Sequence, residues 1–249
     1  MAEGGAEAAT STDSEKSFGM RAVLIGATGA IGECLLGELL ISKHISKVVS
    51  LGRRNATVPA TYSVDQKAEE ESGRLEQHVF DFENISMETV GEQFKDKDVF
   101  FCSLGTTRRS AGSAAAFRHV DYDYVINCAK VAKEANVPHV LYVSSQRANA
   151  SSWFLYLQVK GQVEEALKEM QFVKTSIFRP GLLDRGNKKR FGEKLFGLVS
   201  SSIPVSKVAK GMVIEAESFA RSKQTSDNPQ PSAVTYDGNN DIFALLSTT

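Results

Sequence analysis

The chain has 249 residues, with 29 lysines and arginines against 30 aspartates and glutamates for a formal net charge of −1; no global excess of charge points to nucleic acid or a membrane surface. The length suits one domain with a substantial core, and no apolar run approaches the ~20 residues that a membrane span requires. The three cysteines, Cys34, Cys102 and Cys128, are scattered and odd in number, which fits buried thiols in a reducing compartment better than a disulfide framework or a zinc site.

Residues 1–17 are small, polar and acidic, without the apolar core of a signal peptide or the arginines of a transit peptide. Residues 1–18 are therefore expected to form a disordered tail, residues 19–249 the folded domain, and the cytosol is the default location. The run Arg21-Ala22-Val23-Leu24-Ile25 predicts a buried strand, which enters Gly26-Ala27-Thr28-Gly29-Ala30-Ile31-Gly32. Ile31, Leu35, Leu39 and Leu40 then recur at helical spacing. A second strand, Lys47 to Leu51, ends in Gly52-Arg53-Arg54, and residues 55–74 predict an exposed polar excursion. A third strand, about Leu75 to Phe80, ends at Asp81-Phe82; a weak helix spans Met87 to Phe94; a fourth strand, Asp98 to Cys102, opens into Ser103-Leu104-Gly105-Thr106-Thr107-Arg108-Arg109.

A long helix follows from about Ala114 to Ala135, then a strand His139 to Val143 ending in Ser144-Ser145. The helix from about Trp153 to Met170 has Trp153 packing near its start, and the sixth strand, Val173 to Phe178, stops at Arg179-Pro180-Gly181. Beyond lie a basic loop from Arg185 to Arg190, a helix near Val208 to Arg221 and a last strand around Val234 to Tyr236. Such alternation predicts an α/β fold with a parallel sheet covered on both faces, plus a small C-terminal substrate-side region at about 182–249.

In an open parallel sheet, ligands bind across the carboxyl ends of the strands. The first glycine, Gly26, permits the tight turn; Gly29 lets backbone N–H groups approach a pyrophosphate; Gly32 lets helix and strand pack closely. The spacing is G-x-x-G-x-x-G, and the Gly-Lys-Ser/Thr end of a nucleoside-triphosphate loop is missing. Arg53 and Arg54 stand where an acidic residue would grip a ribose 2′-hydroxyl. Two guanidiniums suit a 2′-phosphate, so NADP(H) is favoured over NAD; the alternative is a solvated pair of arginines. Asp81 either borders the adenine or is an ordinary strand-end aspartate. Leu104 and Gly105 lie where backbone can line the cofactor, though a simple loop has the same composition.

Tyr156 and Lys160, four apart on a helix, share one face. An ammonium near a phenol favours the phenolate, and the pair can then pass a proton to or from a substrate oxygen. Ser145 offers that oxygen a hydroxyl donor. Ser144 competes for the role, since consecutive strand residues point oppositely. His44, His78, His119 and His139 show no ligand spacing, so no metal is expected. The Arg185 to Arg190 cluster is a solvated loop, with cofactor contact or a basic import signal as alternatives.

Gly26-x-x-Gly29-x-x-Gly32 with Tyr156-x-x-x-Lys160 resembles the short-chain dehydrogenase/reductase superfamily in its atypical branch. Leu51-Gly52-Arg53-Arg54, Asp81-Phe82-Glu83, Ser103-Leu104-Gly105-Thr106-Thr107-Arg108, Phe154-Leu155-Tyr156-Leu157-Gln158-Val159-Lys160-Gly161 and Phe178-Arg179-Pro180-Gly181 are similar to the Tat-interacting protein family, which includes a vertebrate metastasis suppressor and fungal mitochondrial relatives. The resemblance covers roughly Met20 to Gly197. It implies a Rossmann fold binding NADPH through Thr28, Gly29, Ala30, Ile31, Arg53, Arg54, Leu104 and Gly105. Tyr156 would be the proton acceptor, and Lys160 its partner on the nicotinamide ribose. Leu183 and Arg190 carry over across a loop that differs in length. Where many short-chain dehydrogenases have an active-site asparagine, this chain presents Asp121, a departure from the usual proton relay. Two functions follow: an NADPH-dependent oxidoreductase acting on a small-molecule carbonyl, or an NADPH-sensing regulator. The second would work through protein partners, in the manner of the family's links to nuclear import factors and apoptosis. Nuclear and mitochondrial locations are the alternatives to a cytoplasmic one.

Overall fold

Apolar alternation in the first strand decides where the sheet's two cores lie. In the computed structural model, which describes residues 19–185, 202–223 and 230–247, β1 (Met20–Ile25) sends Ala22 and Leu24 into one core and Val23 and Ile25 into the other, as the period of two requires. The chain then turns into α1 (Ala30–Ile41) and returns in β2 (Ile45–Gly52). Residues 55–74 are mostly exposed, as expected, but they also hold a helix, α2 (Gln66–Glu71). Its first turn is capped by the Asp65 carboxylate, which accepts the Ala68 N–H. With no buried residue on α2, no apolar stripe marks it in the sequence.

Next come β3 (Leu75–Val79), α3 (Met87–Phe94) and β4 (Val99–Cys102). A reciprocal Ser86/Thr89 capping box fixes the start of α3. After β4 lie α4 (Arg108–Ala111), α5 (Ala114–Arg118), a π-helical turn at His119–Asp123 and α6 (Tyr124–Glu134). The long helix expected over 114–135 is thus interrupted by a π turn, a feature frequent at functional sites. The chain continues through β5 (His139–Val143), α7 (Leu155–Glu169), β6 (Lys174–Arg179) and the two-residue strands β7 (Leu183–Asp184) and β8 (Ile203–Pro204). The last described elements are α8 (Val205–Lys223), β9 (Ser232–Asp237) and α9 (Asn239–Leu246); α9 and the β7–β8 pair carry patterns too short to be expected from sequence.

The main sheet has seven strands in the order β3-β2-β1-β4-β5-β6-β9, all parallel. This is a doubly wound Rossmann fold, with the strand order reversing between β1 and β4. One face is covered by α1 and α8, which pack on each other; the other carries the core shared by α3, α6 and α7. The described C-terminal residues belong to this architecture, since β9 extends the sheet beside β6. No described helix is long and apolar enough to cross a membrane, and no described cluster of His, Cys, Asp and Glu could hold a metal ion. The expected disordered tail lies outside the described residues.

Candidate cofactor and active site

At the switch point the loops after β1 and β4 run against each other, and only glycine fits there. Gly26 has φ +83°, and a Cβ built on it would lie 2.5 Å from Leu104 N. A Cβ on Gly32 would lie 2.0 Å from the Gly26 carbonyl oxygen, so α1 could not approach β1 with any larger residue. Gly29 is the N-cap of α1, and no side chain caps that terminus. The first backbone N–H groups of a helix lack intrahelical acceptors, and the helix dipole adds partial positive charge. An open N-terminus beside two bare glycine turns therefore fits a pyrophosphate.

Two cavities meet at Leu104. The first is lined by Gly29, Ala30, Ile31, Leu104, Gly105, Tyr156, Lys160 and Leu183, all singled out in the sequence, and also by Ser103, Thr106, Asp121, Val143, Ser144 and Arg185. The second is lined by Gly26, Thr28, Arg53 and Arg54 together with Ala27, Ser50, Gly52 and Phe82. No carboxylate lines this second cavity among the described residues, and Arg53 and Arg54 are exposed at its edge. The basic end and the Tyr/Lys end thus lie on opposite sides of the glycine turn, as the two ends of a dinucleotide would require.

Lys160 is buried, at 4% exposure, and its surroundings were not legible in the sequence. Its Nζ donates to the Tyr142 hydroxyl at 3.0 Å and to the Val143 carbonyl at 3.4 Å, and lies 3.5 Å from Asp121 Oδ1. Burial pushes this ammonium down, but Tyr142 and Asp121 outweigh burial and hold it above the ordinary lysine range. Asp121, fully buried on the π turn, accepts the Thr106 N–H at 2.7 Å through Oδ2. It thereby ties the loop after β4 to the helix. A Cβ on Gly105 would approach Asp121 Oδ1 tightly, at 3.2 Å, and meet Lys160 Nζ at an ordinary 3.5 Å. Tyr156 is 44% exposed, its ring 6.1 Å from that of Phe117.

The two serines after β5 differ. Ser144 is buried and lines the first cavity, but its hydroxyl donates to Glu164 Oε1. Ser145 is half-buried outside the cavity lining, and its Oγ donates to the Gln146 carbonyl at 3.4 Å. Glu164 is held in turn by Arg179, whose Nε and Nη2 lie 2.9 and 2.5 Å from its two oxygens, and whose Nη1 lies 3.3 Å from Asp237. This bidentate clamp fastens α7, and with it Tyr156 and Lys160, to β6 and β9.

Asp81 lines neither cavity; its carboxylate accepts from Glu83 N–H and Asn84 Nδ2 in its own turn, while its neighbour Phe82 lines the second cavity. His119 contacts two carboxylates, Asp123 at 2.8 Å and Glu83 at 2.9 Å, and these raise its proton affinity. The packed position expected for Trp153 is wrong: α7 begins two residues later, and Trp153 projects from the preceding turn at 100% exposure, beside Phe154 at 73%. Arg190 lies outside the described residues.

An NAD(P)H-binding family profile matches residues 26–217. Protein HTATIP2 of Rattus norvegicus is 41% identical over 202 residues, covering 76% of this chain and 78% of that protein. The mitochondrial protein FMP52-1 of Scheffersomyces stipitis is 38% identical over 166 residues, covering 66% of this chain and 67% of that one. The dTDP-glucose 4,6-dehydratase DesIV of Streptomyces venezuelae, solved with NAD and TYD bound, superposes with a TM-score of 0.64 at 14% identity, over 92% of this chain and 81% of that one; at that identity the likeness is one of fold.

Proposed function

The chain belongs to the NAD(P)H-binding family, with HTATIP2 and the fungal FMP52 proteins as relatives, and from that premise we propose that it is an NADP(H)-dependent oxidoreductase acting on a carbonyl group. The observation that carries this reading is one cavity that joins the uncapped N-terminus of α1 to Tyr156 and Lys160. NADPH, when bound, supplies the hydride. Gly29, Ala30 and Ile31 bind its pyrophosphate, Arg53 and Arg54 its 2′-phosphate, and Leu104, Gly105 and Leu183 line its path.

Tyr156 Oη gives a proton to the carbonyl oxygen as that oxygen gains charge, and the Lys160 ammonium stabilises the phenolate left behind. Of the two serines, Ser144 lines the cavity with its proton engaged by Glu164, so Ser145 serves as hydroxyl donor to the same oxygen only by turning away from the Gln146 carbonyl and into the cavity. Asp121 balances the buried Lys160 charge and fixes the Thr106 loop. The cofactor assignment is tested by calorimetric titration. NADPH should bind more tightly than NADH by at least about tenfold, the factor a single charge-assisted hydrogen bond supplies; equal affinities would remove the role of Arg53 and Arg54.

A second reading, an NADPH-sensing regulator, draws support from Trp153 and Phe154, whose exposure beside α7 leaves an apolar patch for a protein partner. A mitochondrial location, the one carried in the name of the fungal relative, is an alternative to the cytoplasm for either reading.

A further inference from the structure

Tyr142 lies in the middle of an apolar strand, where a phenylalanine or leucine would fill the same core, yet it is fully buried and bears a hydroxyl. Its ring is part of the core shared with α6 and α7, paired in register with Cys102 of β4. The hydroxyl meets Lys160 Nζ at 3.0 Å, and the ammonium stands 4.9 Å from the centroid of the same ring. A buried hydroxyl costs stability unless it is hydrogen-bonded, and here its partner is the one lysine of the candidate site.

We infer that Tyr142 is a positioning residue for Lys160: its hydroxyl and ring hold the ammonium at the back of the cavity, so that one N–H faces outward for a cofactor ribose hydroxyl. A lysine ammonium has three donors. Two are directed backwards, onto Tyr142 Oη and the Val143 carbonyl, which leaves one toward the cavity side, where Asp121 Oδ1 stands 3.5 Å away beside Gly105 and Tyr156. Tyr142 does not itself touch the cavity, and burial pushes its phenol up, so it stays protonated at neutral pH and acts through Lys160 alone. The titratable groups facing Lys160 are Tyr142 from β5, Asp121 from the π turn, Cys102 from β4 and Tyr156 from its own helix. The inference rests on the NADP(H) site proposed above.

The test is NADPH affinity, followed by fluorescence from about pH 7 to about pH 10, for the wild type, Tyr142→Phe and a chain carrying 3-fluorotyrosine at position 142. The phenylalanine keeps the packing and removes the acceptor, so NADPH binding should weaken about tenfold, as expected for losing one hydrogen bond to a charged group. The hydroxyl favours the charged lysine, so without it the ammonium loses its proton at lower pH, and affinity falls with rising pH where that of the wild type stays level. Fluorotyrosine, a weaker acceptor of similar shape, should give a smaller change in the same direction, and it decides the matter alone if Tyr142→Phe does not fold. Unchanged affinity and pH profile would overturn the inference, and so would a loss uniform across pH, which a packing defect alone produces. Because both arms read binding, absence of carbonyl turnover would count against the catalytic reading and leave this one standing; a wild type that binds no NADPH would overturn both.

Discussion

Replacing Arg53 and Arg54 together by alanine should weaken NADPH binding about 100-fold while leaving NADH binding within about threefold, the pattern expected when charge-assisted contacts to one phosphate are lost. Both arginines follow β2 and edge the cavity that Gly26, Thr28 and Phe82 complete. No carboxylate lines that cavity among the described residues, so a 2′-hydroxyl has no acidic partner and a 2′-phosphate has two cationic ones. Their exposure makes the effect sensitive to salt, and the difference should shrink as ionic strength rises. Each single substitution should give an intermediate loss. Titration calorimetry with both nucleotides checks all of these. A double variant that loses NADPH and NADH equally would mean that the pair supports the loop and does not read the phosphate.

Tyr156→Phe should lower turnover of any accepted carbonyl by about 10²- to 10⁴-fold, the usual contribution of a positioned acid, with NADPH affinity changed less than about twofold. The ring stays against Phe117, and only the hydroxyl is lost. Since that hydroxyl acts as charge develops on the substrate oxygen, the loss should fall on kcat, with KM little altered. Lys160 is anchored from behind by Tyr142 and the Val143 carbonyl, so it should keep its place in the variant. Undiminished turnover would remove Tyr156 from the reaction.

The features legible in the sequence were those written in short local patterns. Glycines at fixed spacing after an apolar run, arginines at the next strand end and a Tyr/Lys pair one helical turn apart all depend on neighbours within a few residues, and the strand alternation placed them at one edge of the sheet. What escaped depends on contacts between distant segments. Tyr142 sits in an apolar strand and looks like core until Lys160, 18 residues on, is brought to its hydroxyl. Asp121 reaches Thr106 from within a π turn, an irregularity that helical periodicity does not reveal. Ser144, Glu164 and Arg179 come from three elements and form one clamp. The exposure of Trp153 escapes too, because an aromatic residue two positions before a helix can either staple it or project from the turn, and spacing alone does not separate the two.

The proposed oxidoreductase must transfer a hydride from the bound cofactor to its substrate. NADPH carrying deuterium at C4 of the nicotinamide, incubated with the wild-type chain and a panel of aldehydes and ketones, tests it by mass spectrometry of the products. Deuterium should appear on the carbinol carbon of at least one product alcohol, transferred from one C4 face only and lost in Tyr156→Phe. Tight binding of NADPH with all the deuterium retained on the nucleotide across the panel would contradict it and favour the regulator.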